Sequence, residues 1–171
     1  MTVFRTLLLS IVFMVPMTAL AQAWPAKPVR IVVAYPPGGG IDVMGRQIAE
    51  RLGAAWGQPA IVENRPGANT IVATDLVAKS AADGYTVLMT TDATFSINPH
   101  LYAKLPFDPQ RDFVPVTMLV LLQQMLVAHP ALPANTLEDL VKLAKSRPGS
   151  INYASYGSGS QPHLLFEALK A

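Results

Sequence analysis

Apolar and polar positions alternate along the chain in two periods, and the switch between them sets out the elements. Val29 to Tyr35 is a short, β-branched run that stops at Pro36-Pro37 and Gly38-Gly39-Gly40. A run of that length bounded by Pro and Gly predicts a buried strand and then a tight loop. From Asp42 to Trp56 the period becomes helical. Ile41, Met44, Ile48, Leu52 and Ala55 share one side, while Arg46, Gln47, Glu50 and Arg51 lie elsewhere. Asp42 suits the helix start as a cap or first-turn acid, and Gly57 and Pro59 stop the helix. Ala60 to Glu63 predicts a second strand. Thr70 to Ser80 predicts a second helix with Ile71, Val72, Leu76 and Val77 on its apolar side, and Tyr85 to Met89 a third strand. Strand-helix-strand-helix-strand with short links predicts a parallel sheet covered by helices, an α/β fold.

The second half carries the same signals. Thr90 to Ser96 reads as a polar loop at the carboxyl end of the third strand, and Asn98 to Tyr102 as a short turn or helix. Leu105 to Asp112 reads as irregular. Phe113 to Leu122 and Met125 to Ala128 are apolar enough to predict strands. Thr136 to Lys145 predicts a helix capped by Thr136, with Asp139 three residues on as a capping-box partner. Ile151 to Ala154 predicts a short strand and Ser155 to Ser160 a second glycine-rich loop. Gln161 to Lys170 predicts a helix bearing Leu164, Leu165, Phe166 and Leu169.

The first residues change the picture. Arg5 precedes an apolar stretch, Leu7 to Leu20, and Ala21-Gln22-Ala23 is a small-x-small cleavage site. This predicts a secretory signal peptide over residues 1–23, since the apolar stretch is shorter than the roughly 20 residues a membrane-spanning helix needs. The whole chain has 171 residues, with 13 Lys and Arg against 11 Asp and Glu. Such near-neutrality excludes an electrostatic case for nucleic acid. The absence of cysteine rules out disulfides and a lipid-anchored cysteine, and a bacterial periplasm suits an unbridged secreted chain.

Candidate chemistry sits in three loops. Gly38, Gly39 and Gly40 leave backbone N–H groups uncovered beside a helix N-terminus, which suits an anion; the same residues also suit a plain sharp turn. In open α/β sheets ligands bind at the carboxyl ends of the strands, where the Thr90–Ser96 loop also lies. Thr91, Thr94, Ser155 and Ser158 supply hydroxyls that can donate to a carboxylate, or can bond local backbone. Enzyme motifs are weaker. Gly38 and Gly40 with Glu63 resemble a dinucleotide fingerprint, but Val43 stands where its third glycine belongs. No P-loop lysine follows Gly40, and no Gly-x-Ser-x-Gly elbow is present. His100, His129 and His163 lack metal-ligand spacing, so no metal and no cofactor are expected. A periplasmic enzyme acting on a small organic acid would have only Asp92 and His163 as candidate bases.

Five ordered motifs carry a resemblance: Pro36-Pro37-Gly38-Gly39-Gly40-Ile41-Asp42, Val62 to Ala68, Asp83-Gly84-Tyr85-Thr86, Ile97-Asn98-Pro99 and Asn152-Tyr153-Ala154-Ser155. From about Pro28 onward the chain resembles the Bug family, the periplasmic solute receptors of tripartite tricarboxylate transporters. The resemblance implies a two-lobed α/β protein of the type II periplasmic binding class, with helices on both faces of a parallel sheet. It implies a monomeric non-enzyme that takes a dicarboxylate, tricarboxylate, acidic amino acid or aromatic acid and delivers it to two integral membrane subunits. By position, the ligand-binding residues would be Pro37, Gly38, Gly39, Gly40 and Asp42 in the first loop, and Thr91, Asp92 and Thr94 in the second. The third loop would supply Ser155, Gly157, Ser158 and Gly159, with His163 behind it. Residues 24–122 would form a first lobe and 123–171 the start of a second. Two departures stand out. Asp92 occupies a place where the family usually has small, uncharged residues. Family members are also considerably longer, so the chain is expected to be C-terminally truncated, lacking most of the second lobe and the segment that returns to the first. That in turn predicts exposed apolar surface on the last helix, and leaves a non-binding remnant as a further reading.

Overall fold

The structure is a computed structural model and describes residues 23–171; the expected signal peptide lies outside the described residues apart from Ala23. A three-stranded parallel sheet organises the chain, with strand order β2-β1-β3. The strands are β1 (Val29–Val33), β2 (Ala60–Asn64) and β3 (Thr86–Met89). Central β1 pairs Val29 with Ala60 on one side and Arg30 with Thr86 on the other. Helices α1 (Gly40–Trp56) and α2 (Ile71–Ala78) complete the alternating order.

The period of two along β1 divides the core between the two faces. Ile31 and Val33 join Met89 and Ala49, with Ile41, Met44, Ile48 and Leu52 of α1 packed against them. Val32 and Ala34 join Ala73, with Leu76 and Val77 of α2 beside them. Val32 and Val33 are fully buried, and burial of such a side chain stabilises by about 1.5–3 kcal/mol. Gly45 lets α1 approach closely: a Cβ there would stand 3.2 Å from Met89 Sδ and 3.3 Å from Val33 Cγ2. The α2 face differs from the expected one. Val72 is exposed, and Ala73 and Thr74 turn inward instead, because the sheet selects the small side of the helix.

After β3 the chain does not continue as an open loop. Ala93–Ile97 forms a π-type turn that runs into the short helix α3 (Asn98–Leu101). Beyond it, three expected strands fail to form. Phe113–Leu122 and Met125–Ala128 form no strands, and neither does Ile151–Ala154. A strand exists by pairing its N–H and C=O groups with a neighbour. None of these segments has a ladder partner among the described residues. Helix α4 (Leu137–Ser146) is capped as expected, Thr136 Oγ1 accepting from Asp139 N at 3.1 Å. Helix α5 (Gln161–Lys170) also forms, yet neither helix has a buried residue. Phe166 of α5 stacks on Tyr153 with ring centroids 4.2 Å apart, while Leu165 and Leu169 stand exposed. No helix among the described residues is long and apolar enough to cross a membrane.

Candidate functional site

The first loop is held by a carboxylate within its own helix. Gly38 has φ +86°, a backbone state that favours glycine, and its N–H donates to Asp42 Oδ2 at 2.8 Å. Asp42 is not the helix cap, a place taken by Gly39; it reaches back from the first turn of α1. Arg46 Nε donates to Asp42 Oδ2 at 3.1 Å, and Asn64 Nδ2 donates to Asp42 Oδ1 at 2.8 Å. Asn64 Nδ2 also meets the Tyr35 carbonyl at 3.0 Å, which links the end of β2 to the end of β1. Arg46 first, then Gly38 N–H and Asn64, hold the Asp42 carboxyl down at about 2. Pro37, Gly38, Gly39 and Gly40 are exposed. The Gly39, Gly40 and Ile41 N–H groups, at the start of α1, have no acceptor among the described residues.

The second loop divides into two parts. Thr94 is fully buried, its hydroxyl 2.7 Å from Thr70 Oγ1 and 2.5 Å from Thr90 Oγ1. It therefore anchors the π-type turn from inside. Thr91 lies at the rim, its hydroxyl 2.7 Å from the Tyr35 hydroxyl. Asp92 is exposed, and its carboxylate has neither a hydrogen bond nor an ion pair among the described residues.

The third loop is tied to the rim by Asn69. Ala68, Asn69 and Thr70 form a left-handed turn with φ of +45°, +49° and +77°. Non-glycine residues pay about 1–2 kcal/mol each for this state, so the turn needs strong partners. Asn98, fully buried, supplies them: Asn69 Nδ2 donates to Asn98 Oδ1 at 2.7 Å, and Asn98 Nδ2 donates to the Asn69 carbonyl at 2.7 Å. Asn69 Nδ2 also donates to the Gly159 carbonyl at 3.1 Å. Gly159, with φ +77°, is buried, and its N–H donates to His163 Nδ1 at 3.1 Å. His163 thus braces the loop through the nitrogen that a base would need. Ser155 and Gly157 meet only through long contacts of 3.4 Å, and Ser158 is exposed beside them. The Ser160 hydroxyl is buried without a hydrogen-bond partner among the described residues.

These ties bring the three loops to the same end of the sheet. Burial pushes the Tyr35 hydroxyl above its usual range, the Thr91 hydrogen bond acts against that shift, and the negative charge of Asp92 adds to it. Burial likewise raises Tyr156 of the third loop, with Tyr35 and then Asp92 contributing. Among the described residues no three His, Cys, Asp or Glu side chains cluster as a metal site would require. Hollows lie away from the rim: an apolar one between Gln124–Leu126 and α5, and a shallow one between α1 and β2. Sequence reasoning did not single out Tyr35, Asn64, Asn69 or Tyr156. Two of these, Asn64 and Asn69, bound the turn-rich segment after β2, and Tyr35 and Tyr156 stand at the two glycine loops; those positions were the available signal.

A parallel α/β sheet with its loops gathered at the carboxyl ends of the strands is the architecture of periplasmic binding proteins, and solved members of that class superpose on it. R. palustris Rpa4515 with adipate aligns at TM-score 0.80 and 35% identity, over 86% of this chain and 49% of that one. MatC from Rhodopseudomonas palustris, with bound malate, aligns at TM-score 0.73 and 29% identity, over 86% and 51%. The chain belongs to the TctC family, described as the tripartite tricarboxylate transporter family receptor, whose profile matches residues 44–171. Protein BugT of Bordetella pertussis is 41% identical over 148 residues, which is 86% of this chain and 45% of that protein. The chain spans about half the length of the relatives it matches.

Proposed function

We propose that this chain is the ligand-gripping part of a periplasmic solute receptor that captures a small organic carboxylate for a tripartite transporter. The observation that carries the proposal is the set of unpaired N–H groups at Gly39, Gly40 and Ile41, held in place by the Asp42 pin at the start of a 17-residue helix. A helix N-terminus with free N–H groups favours a carboxylate without any formal cation. Thr91, Ser155 and Ser158 would add hydroxyl donors, with Pro37 and Gly157 shaping the loops around the ligand. Asp42, Thr94, Gly159 and His163 would act behind them by fixing loop conformation. The solved relatives with adipate and malate support a carboxylate as the ligand class. Residues 24–122 would belong to one lobe and 123–171 to a second. Closure of the lobes would exclude water and strengthen the same bonds. Delivery would be to the integral membrane subunits, with the receptor acting as a monomer and without catalysis.

Isothermal titration of the chain against adipate, malate, citrate, glutamate and benzoate tests this. One-to-one binding of at least one acid is expected, with the acid recovered unchanged. Failure of every acid to bind would overturn the proposal, as would turnover of any of them.

A further inference from the structure

The rim holds one charge that nothing balances. The three loops, residues 36–40, 91–96 and 155–160, contain no Lys or Arg, and Asp92 is their only carboxylic acid. Arg46 of α1 and Arg65 after β2 are already committed, Arg46 to Asp42 and Arg65 to Glu63. Asp92 itself follows Thr91, whose hydroxyl is 2.7 Å from that of Tyr35. It therefore stands next to the point where the first and second loops meet. Burial is the main reason Tyr35 and Tyr156 of the third loop hold their protons more tightly, and the negative charge of Asp92 adds to it.

We propose that Asp92 makes this rim selective for a monocarboxylate whose far end carries an ammonium group, against a dicarboxylate of the same length. The inference rests on the receptor reading above. The helix α1 N-terminus offers neutral donors for one carboxylate. A second carboxylate would bring another negative charge towards Asp92 with no cation to offset it, and lobe closure would strengthen the repulsion by removing water. An ammonium group reverses the sign of that contact. The Tyr35 and Tyr156 hydroxyls can accept from it as well, and a phenol face attracts a cation. Both phenols stay neutral, so they add no charge of their own.

The test is a matched trio of six-carbon acids titrated against the chain: adipate, 6-aminohexanoate and hexanoate. The expected order of affinity is 6-aminohexanoate, then hexanoate, then adipate, with about five- to ten-fold between the first two. Asp92→Asn should bring 6-aminohexanoate to within about two-fold of hexanoate and improve adipate. Asp92 makes no side-chain bond among the described residues, so the variant should keep its thermal midpoint. Should it fail to fold, raising the salt concentration on the unaltered chain reads the same charge, and the preference for the amino acid should shrink. If adipate binds as well as hexanoate or better, or if both Asp92→Asn and salt leave the order unchanged, the selectivity inference is wrong and the receptor reading stands. If none of these acids binds and the wider carboxylate panel also fails, the receptor reading falls and takes this inference with it.

Discussion

Residues 29–89 and residues 113–171 are built from similar apolar patterns and reach opposite ends. Val32 and Val33 are 0% exposed, whereas Val114 is 87%, Leu121 80% and Met125 84% exposed. In the first region each apolar run meets a partner: β1 lies between two strands and under two helices. In the second, the runs have no ladder neighbour among the described residues, and α4 and α5 bury nothing completely. The lesson is that β-branched composition proposes a strand, and only a hydrogen-bonded neighbour makes one. Helices need less, because their backbone bonds are internal, and so α4 and α5 form where the expected strands do not.

Amide hydrogen exchange gives the largest contrast. Ile31 to Val33 should be protected by about three orders of magnitude or more, while residues 114–128 exchange at nearly free-chain rates. Strong protection in 114–128 would break the comparison. Side-chain truncation should follow the same division. Ile31→Ala should cost about 2–5 kcal/mol in urea unfolding, against a shift within about 0.5 kcal/mol for Leu121→Ala. A smaller effect is expected where the two regions touch. Asn69→Ala should cost about 1–3 kcal/mol, leaving the buried Asn98 Oδ1 without its donor, and should speed proteolysis within residues 155–160. If cleavage there is unchanged, the third loop does not depend on that tie.

The smallest effect concerns pH. The Asp42 carboxyl is depressed from 3.8 to about 2, so its contribution is present above 3.8 and lost as pH falls through about 2. Stability curves of the chain and of Asp42→Asn should differ at neutral pH and converge over that acid range. Parallel curves would mean that the pin on Gly38 is energetically idle.

Much of the first region could be read from residues alone. The β-branched run at Val29–Val33, the 3.6 period from Ile41 to Leu52 and the stops at Gly57 and Pro59 marked two elements, their order and the end of the second. The parallel sheet followed from the short links. What could not be read was anything set by partners distant in sequence. Val72 looked like core and lies outside it because Ala73 fits more closely against β1. Thr94 looked like a rim hydroxyl and is buried because Thr70 and Thr90 claim it. Asp42 looked like a cap or a ligand contact, yet its oxygens go to Gly38, Arg46 and Asn64. The glycines were legible as loop residues and Asn69 as part of a turn-rich segment, but its tie from one loop to another was not, because its partners lie 29 and 90 positions away.

In the proposed receptor the pin between Asp42 and Gly38 would separate two tasks that many sites combine. Holding an acid group would fall to main-chain atoms whose arrangement is locked from within one helix and the neighbouring strand. Choosing among acids would fall to a few side chains on other loops that bear no weight in the architecture. Such a division would let point changes at positions like 92, 156 and 158 alter the choice while leaving the grip intact.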